Sequence, residues 1–397
     1  MNIQNATLAS LSVGGRGLYG IGAPAVERSD DLYTYLRITD IKDDGTLNMD
    51  DLKSVDDEKA SQYILKPNDI VFARTGASTG RNYFYDGTDG EFVYAGFLIK
   101  FSINPQKVNP KYVKYYCMSN DYKGWIRSFN TGSTRGNINA QTLGRMPIPI
   151  PPRKQQDGIV EILSTLDEKI RKNTDINKNL EQQAQALFRL SFVDNANPKW
   201  RNGILSDLGT IIAGGTPSKS KPEYYAERGI AWITPKDLSL DKSKFISRGE
   251  IDISELGFSK SSAVKMPAGT VLFSSRAPIG YIAIAANEVT TNQGFKSVIP
   301  NKNIGTAFMY YLLKWLLPTI ERMASGSTFK EISGAGMKSV PTVIPDDNTI
   351  RQFNDFCAPV FQQQAILEAE NTRLSNMRDS LLPKLMSGEL DVSDLDI

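Results

Sequence analysis

The chain repeats itself once, about 194 residues on, and that duplication constrains every other expectation. Gly132-Ser133-Thr134 returns as Gly326-Ser327-Thr328, and Met146-Pro147-Ile148-Pro149-Ile150-Pro151 returns as Val340-Pro341-Thr342-Val343-Ile344-Pro345. Asn177-Lys178-Asn179-Leu180 returns as Asn371-Thr372-Arg373-Leu374, and Leu187-Phe188 as Leu381-Leu382, all at one offset of 194 (326 − 132). A two-fold repeat of this length predicts two similar domains able to address two similar targets.

A length of 397 residues lets each copy bury its own core. The net charge of +2 permits local basic patches without demanding a polyanionic partner. Two cysteines, Cys117 and Cys357, cannot build a disulfide framework or a four-ligand zinc site. The start, Met1-Asn2-Ile3-Gln4-Asn5, lacks a basic segment followed by an apolar stretch, so no secretory signal is expected. The most apolar run, Phe308 to Leu317, contains Lys314 and stops at Pro318. It falls short of the roughly 20 residues that cross a bilayer. A soluble, cytoplasmic protein is expected. The chain has no histidine, which removes Ser-His-Asp and Cys-His pairs, histidine bases and the usual zinc hydrolase sites.

Four blocks follow one another. Residues 1–150 mix short β-branched runs with turns. Strands are expected at Ile70-Val71-Phe72 and Phe97-Leu98-Ile99-Lys100-Phe101, turns at Asp44-Gly45, Asp86-Gly87 and Asp89-Gly90, and a helix at Lys111–Ser119. Pro147 to Pro152 reads as an extended connector. Residues 151–193 lose nearly all glycine and proline. Ile159, Ile162, Leu166, Lys169, Asn173, Ile176, Leu180, Gln183, Leu187 and Leu190 step by three and four, as a long helix with a coiled-coil seam does. Polar Lys169, Asn173 and Gln183 would set register or line a partner surface. Asp194 to Pro198 breaks the helix, and 194–348 repeats the first block. There Val271-Leu272-Phe273 answers Ile70-Val71-Phe72, with the offset drifting to 201. Residues 349–397 repeat the helix, with Phe353, Phe356, Val360, Gln363, Leu367, Glu370, Leu374, Met377, Leu381 and Lys384 on the matching seam.

Several stretches of the second half are similar to one known family. They are Ala213-Gly214-Gly215-Thr216-Pro217-Ser218, Trp232-Ile233-Thr234-Pro235-Lys236-Asp237-Leu238, Pro267 to Gly280, Thr291-Asn292-Gln293-Gly294-Phe295 and the closing Leu381-Leu382-Pro383-Lys384-Leu385-Met386-Ser387-Gly388-Glu389-Leu390. With the domain–helix–domain–helix order, the chain resembles the specificity subunit of Type I restriction-modification systems. The copies differ at their leading edges: the second enters through Trp200 and Asp207-Leu208-Gly209, the first through Ala6 to Leu11.

The resemblance implies an α/β (α+β) fold with two target-recognition domains, 1–150 and 194–348, separated by two long antiparallel coiled-coil helices in 151–193 and 349–397 as a pseudo-two-fold repeat. It implies a non-catalytic subunit whose domains each read half of a split site in double-stranded DNA. Its helices would dock two methyltransferase subunits and, through them, restriction (helicase-nuclease) subunits. A helix over 153–192 would be ~60 Å long, and two such helices packed antiparallel would separate the domains by several tens of Å, comparable to the ~34–36 Å between half-sites one DNA turn apart. The partner-facing residues expected are Ile159, Ile162, Leu166, Leu180, Leu187, Phe353, Phe356, Val360, Leu374 and Leu381. The competing reading is a tandem-repeat protein-interaction scaffold without DNA sequence specificity.

DNA contacts are expected from basic and small polar loop residues. In the first domain these are Arg16, Arg74, Thr75, Arg81, Ser133, Thr134, Arg135 and Asn137; in the second they are Thr216, Lys219, Arg276, Lys296, Ser327, Thr328 and Lys330. Hydroxyls and amides suit phosphate oxygens, and arginine or lysine suits guanine O6 and N7. No catalytic residue, metal or cofactor is expected. The only Pro-Pro, Ile150-Pro151-Pro152-Arg153, lacks the flanks of an amino-methyltransferase motif, and Gly20-Ile21-Gly22 is a lone glycine pair. Asp51-Leu52-Lys53 and Asp167-Glu168-Lys169 match a nuclease triplet only as chance does.

Overall fold

The computed structural model describes residues 4–129, 137–276, 278–326 and 330–392. It divides into two compact units, one of residues 1–169 with 374–397 and one of 170–373, so each long helix is shared between them.

In the first unit the fully buried run Asp69–Ala73 is the inner strand of an antiparallel sheet ordered Leu18–Tyr19, Leu98–Ser102, Asp69–Ala73, Asn82–Tyr85. Ile70, Phe72, Ile99 and Phe101 face one core with Tyr112, Val113 and Ile148; Val71, Ala73 and Leu98 face another with Leu36 and Phe92. This two-sided burial explains a strand without polar alternation. A second sheet runs Ala25–Val26, Lys53–Val55, Tyr33–Leu36, Phe92–Tyr94, its last pair parallel. The Asp-Gly turns appear where expected, with φ of 78° at Gly45, 91° at Gly87 and 96° at Gly90.

The second unit repeats this order: Gly209–Ala213, Lys296–Pro300, Val271–Ser275, Ile279–Ala285, with Phe245–Ile246 added in parallel at the edge. Its second layer is split into Tyr225–Ala226 with Asp252–Ile253 and Trp232–Ile233 with Thr290–Thr291. The expected helix at Lys111–Ser119 is instead Pro110–Tyr116 followed by Asn120–Ser128, because Ser119 caps the second helix by accepting from Tyr122 N. Its counterpart runs from Thr306 to Met323 and passes through Pro318.

The proline-rich connectors are extended but paired. Pro147–Ile150 lies antiparallel to Gln4–Thr7, and Pro341–Ile344 to Arg201–Ile204, so both copies have an entering strand despite their different leading sequences. Prolines on alternate positions remove donors from one strand edge only. On that strand the Pro147 and Pro149 carbonyls accept from the Tyr116 and Tyr112 hydroxyls at 2.6 and 2.8 Å. A step of four on a helix (~6 Å) matches two on a strand (~6.6 Å), so one tyrosine pair reaches both carbonyls.

The long helices are Arg153–Arg189 and Asp347–Ser387. Within each unit their stretches pack antiparallel: Ile159 and Leu163 share a core with Leu382 and Leu385, and Ala184 and Phe188 share one with Ile350, Phe353 and Cys357. The inner row differs from the expected one by a single position per heptad. Positions 159, 166, 173, 180 and 187 do lie inward or half-buried, but their companions are 163, 170, 177 and 184, not 162, 169, 176 and 183. Ile176 and Phe356 are therefore exposed, while Asn177 and Cys357 turn inward. Counting apolar residues chose the wrong companion because the true row is partly polar. Asn173, which is buried, donates to Glu370 at 2.8 Å and Asn371 at 2.9 Å, and Gln364 donates to the Asn177 carbonyl at 3.2 Å. Asn173 thus lies in the seam as expected, whereas Lys169 and Gln183 are exposed. A buried amide row fixes register at some cost in stability.

A carboxylate ties the helices to each domain. Asp167 accepts from Lys114 Nζ (2.8 Å), the Tyr115 hydroxyl (2.9 Å) and Arg378 (3.1 Å). Burial pushes Asp167 up, but the Lys114 charge and the three hydrogen bonds outweigh it and hold the carboxyl below its usual range. In the second unit Glu181 meets Lys244 at 2.5 Å, Lys314 at 2.7 Å and the Tyr311 hydroxyl at 2.7 Å. There too burial raises the carboxyl, and the two lysines override it, bringing Glu181 to about 2. Lys244 is buried over Phe361, 4.3 Å from the ring centroid, and also donates to Gln364 at 2.6 Å. Asp167 of one supposed nuclease triplet is thus an anchor, and Asp51 of the other pairs with Lys53 at 3.1 Å.

Candidate nucleic-acid interface

Where the inner strand of the first sheet ends, three segments converge. Arg74 N donates to the Phe97 carbonyl (3.1 Å), the Arg74 carbonyl accepts from Ile138 N (2.9 Å), and Thr75 bridges Asn137. The Arg74 guanidinium lies over the Tyr19 ring at 5.1 Å. Tyr19 is fixed in turn, its hydroxyl accepting from Ala140 N (3.1 Å) at the start of the helix Ala140–Gly144, which Asn139 caps. Phe97 beside it is 59% exposed. Gly80, at φ 88°, lets the loop after Thr75 return, and a Cβ there would strike Ile126. Arg74, Thr75 and Asn137 are thus brought together. Arg16 stands exposed after Gly14 and Gly15, both at positive φ. Arg81 is turned to Asp43 at 2.6 Å and to the Ile41 carbonyl.

The second domain has the same frame with other side chains. Ser275 N donates to the Gly294 carbonyl (2.7 Å), the Ser275 carbonyl accepts from Ile332 N (3.1 Å), and Arg276 bridges Glu331. The hydrogen bonds therefore set Ser275 opposite Arg74, Arg276 opposite Thr75, and Glu331 opposite Asn137. Arg74 and Arg276, both just beyond a strand in the sequence, are not equivalent, because the strand-end register is offset by one residue. Arg276 lies 3.5 Å from Glu331, and buried Lys296 lies 3.6 Å from Glu331 and 3.4 Å from Ser275 Oγ. Lys296 is therefore held inside the domain. Thr216 bonds Gln293, and exposed Lys219 lines a cavity of about 560 Å³ with Tyr225, Trp232, Asn292 and Gln293. Lys330 is exposed. Ser133, Thr134, Arg135, Ser327 and Thr328 lie outside the described residues.

The sequence reading passed over Tyr19, Phe97, Asn292 and Gln293. Tyr19 sits on a two-residue strand between Gly17 and Gly20, too short for any periodicity. Asn292 and Gln293 stood within a family phrase but were not singled out as contacts. Of the ten helix residues expected to face partners, Ile159 and Phe353 are buried in the chain's own cores, and Phe356 is exposed. The other seven are half-buried. Among the described residues no group of acidic or cysteine side chains could hold a metal, and no helix is long and apolar enough to cross a membrane.

A family model, the Type I restriction modification DNA specificity domain, matches residues 27–182 and again 197–375. The chain belongs to this family. Membership makes it a DNA-specificity subunit of Type I restriction-modification, a recognition component and not a catalytic one, and sets aside the scaffold reading. It is 38% identical to the Type I restriction enzyme MjaIX specificity subunit of Methanocaldococcus jannaschii over 190 residues, 46% of this chain and 44% of that one. That match therefore spans under half the relative's length. The HindI specificity subunit of Haemophilus influenzae is 25% identical across 82% of this chain and 87% of its own. The crystal structure of a Type I system S subunit from M. genitalium superposes with a TM-score of 0.58 at 20% identity, covering 97% of this chain and 96% of that one, which shows a shared fold.

Proposed function

We propose that the domains in 1–150 and 194–348 each read one half of a split site in double-stranded DNA. The helices in 151–193 and 349–397 set the spacer and dock two methyltransferase subunits, through which restriction subunits join. A cytoplasmic location, where the duplex lies, belongs to the same reading. The observation that supports it is the duplicated strand-end frame: two sheets of one order, each bringing a loop and a short helix N-terminus to the same end. Two readers on a paired helix suit a target with two parts and a fixed gap, and two similar helix surfaces suit two copies of one partner. Among the described residues, this reading assigns duplex contacts to Arg16, Arg74, Thr75, Asn137, Thr216, Lys219, Arg276 and Lys330.

The test is a base-resolution methylation map made with the full chain and its methyltransferase partner. A two-part motif with a constant gap is expected, and exchanging residues 1–150 for those of a relative should change one half only. A motif unchanged in both halves after that exchange defeats the proposal.

A further inference from the structure

We propose that Arg74 reads a guanine for the first domain, supported by the Tyr19 ring, and that the second domain holds no counterpart among its described residues. This deepens the DNA-reading function above and rests on it.

Arg74 is positioned before any ligand arrives. Its backbone is clamped on both sides by separate segments, through the Phe97 carbonyl and Ile138 N. Its guanidinium rests 5.1 Å from the centroid of a ring that is itself tethered to Ala140 N. An aromatic shelf under a planar fork limits the rotamer freedom that binding must remove. Arg74 also has no counter-ion among the described residues. In the same domain Arg28, Arg37 and Arg81 are paired with Asp30, Asp40 and Asp43, whereas among the described residues no carboxylate or other acceptor takes the Arg74 guanidinium, and its buried Nε has no hydrogen-bond partner. A preset, unpaired fork lacks only a pair of adjacent acceptors. Guanine offers that pair, O6 and N7, on its major-groove edge.

At the matching place the second domain has Ser275 for Arg74 and, by sheet register, Ala213 for Tyr19. Of the cations nearby, Arg276 and Lys296 lie against Glu331. The two half-sites are therefore read by different chemistry at one position of a common frame.

The test uses the full chain with its methyltransferase partner and duplexes carrying the motif that the wild-type complex methylates. Each guanine is replaced in turn by 7-deazaguanine, which lacks the N7 acceptor, and competition binding is compared for wild type, Arg74→Ala and Arg74→Lys. One guanine in one half-site should weaken wild type on the order of 10-fold when replaced and leave Arg74→Ala unaffected. Arg74→Lys should keep the salt dependence and retain only part of that coupling, because an ammonium lacks the planar fork that meets both acceptors at once. Undiminished dependence on the other half-site certifies that the variants fold. Losses that simply add, equal weakening of cognate and unrelated duplexes by Arg74→Ala, or a first-domain half-site without guanine would overturn the inference alone. A wild-type complex showing no two-part motif would sink the underlying reading as well.

Discussion

In the first unit the anchoring carboxylate, Asp167, belongs to the helix that follows its own domain; in the second, Glu181 comes from the helix that precedes it. At the repeat offset of 194, position 167 corresponds to Phe361 and position 181 to Ser375 (361 − 167; 375 − 181). The acid has changed helices. Where Asp167 meets Lys114 in one copy, Phe361 supports Lys244 in the other, and Glu181 reaches in from across the pair. Only the tyrosine, Tyr115 or Tyr311, plays the same part in both. The strand ends teach the same lesson, with Arg74 over Tyr19 in one frame and Ser275 in the other. Duplication preserved where the backbone goes, and charge was then rearranged on it. A buried charge needs only a partner within reach, whichever element supplies it.

The comparison can be broken most severely at Glu181. Glu181→Ala strands Lys244, which is nearly fully buried, and should cost about 3–5 kcal/mol, seen as a lower urea midpoint. Asp167→Ala should cost less, about 2 kcal/mol, because Lys114 is partly solvated and Arg378 keeps Asp379. Equal losses would mean that the two anchors are energetically alike.

Acid sharpens the contrast. A carboxyl lowered on folding adds stability that is present above its ordinary value and lost as pH falls through the folded one. The Glu181 contribution is therefore complete above about 4.5 and fades through about 2. Trp200, Trp232 and Trp315 all lie in the second unit, so tryptophan emission reports mainly on it. The acid transition of Glu181→Gln should lie at higher pH than that of wild type; coincident curves would refute the anchor.

The smallest effect belongs to Glu331. Glu331→Gln removes a half-exposed pair worth under about 1 kcal/mol, so stability should barely move. Releasing Arg276 should strengthen non-specific duplex binding at low salt and steepen its salt slope by about one. An unchanged slope would show that Arg276 does not reach DNA.

Much of the fold was legible because it rests on local or repeated signals. The apolar runs at 70–72 and 97–101, the Asp-Gly turns, the proline break and the long helices all carry their cause in adjacent residues. The helix seam was half legible: one position per heptad was right, and the other was lost to Asn177, Gln364 and Asn371, whose inward placement depends on amide partners far away in sequence. Of the site, the strand-end arginine was legible as a type and a place. That Arg81 is spent on Asp43, that Lys296 is enclosed and that Tyr19 lies beneath Arg74 were not, since each joins segments tens of residues apart.

By itself the sequence determined that there are two copies, where their inner strands and long helices run, and which family they belong to, because periodicity and turn chemistry are read within a few residues. Only the tertiary structure decided which cations are left free and which carboxylate each one meets. Those pairings depend on distances of a few ångströms between elements that the chain order keeps far apart.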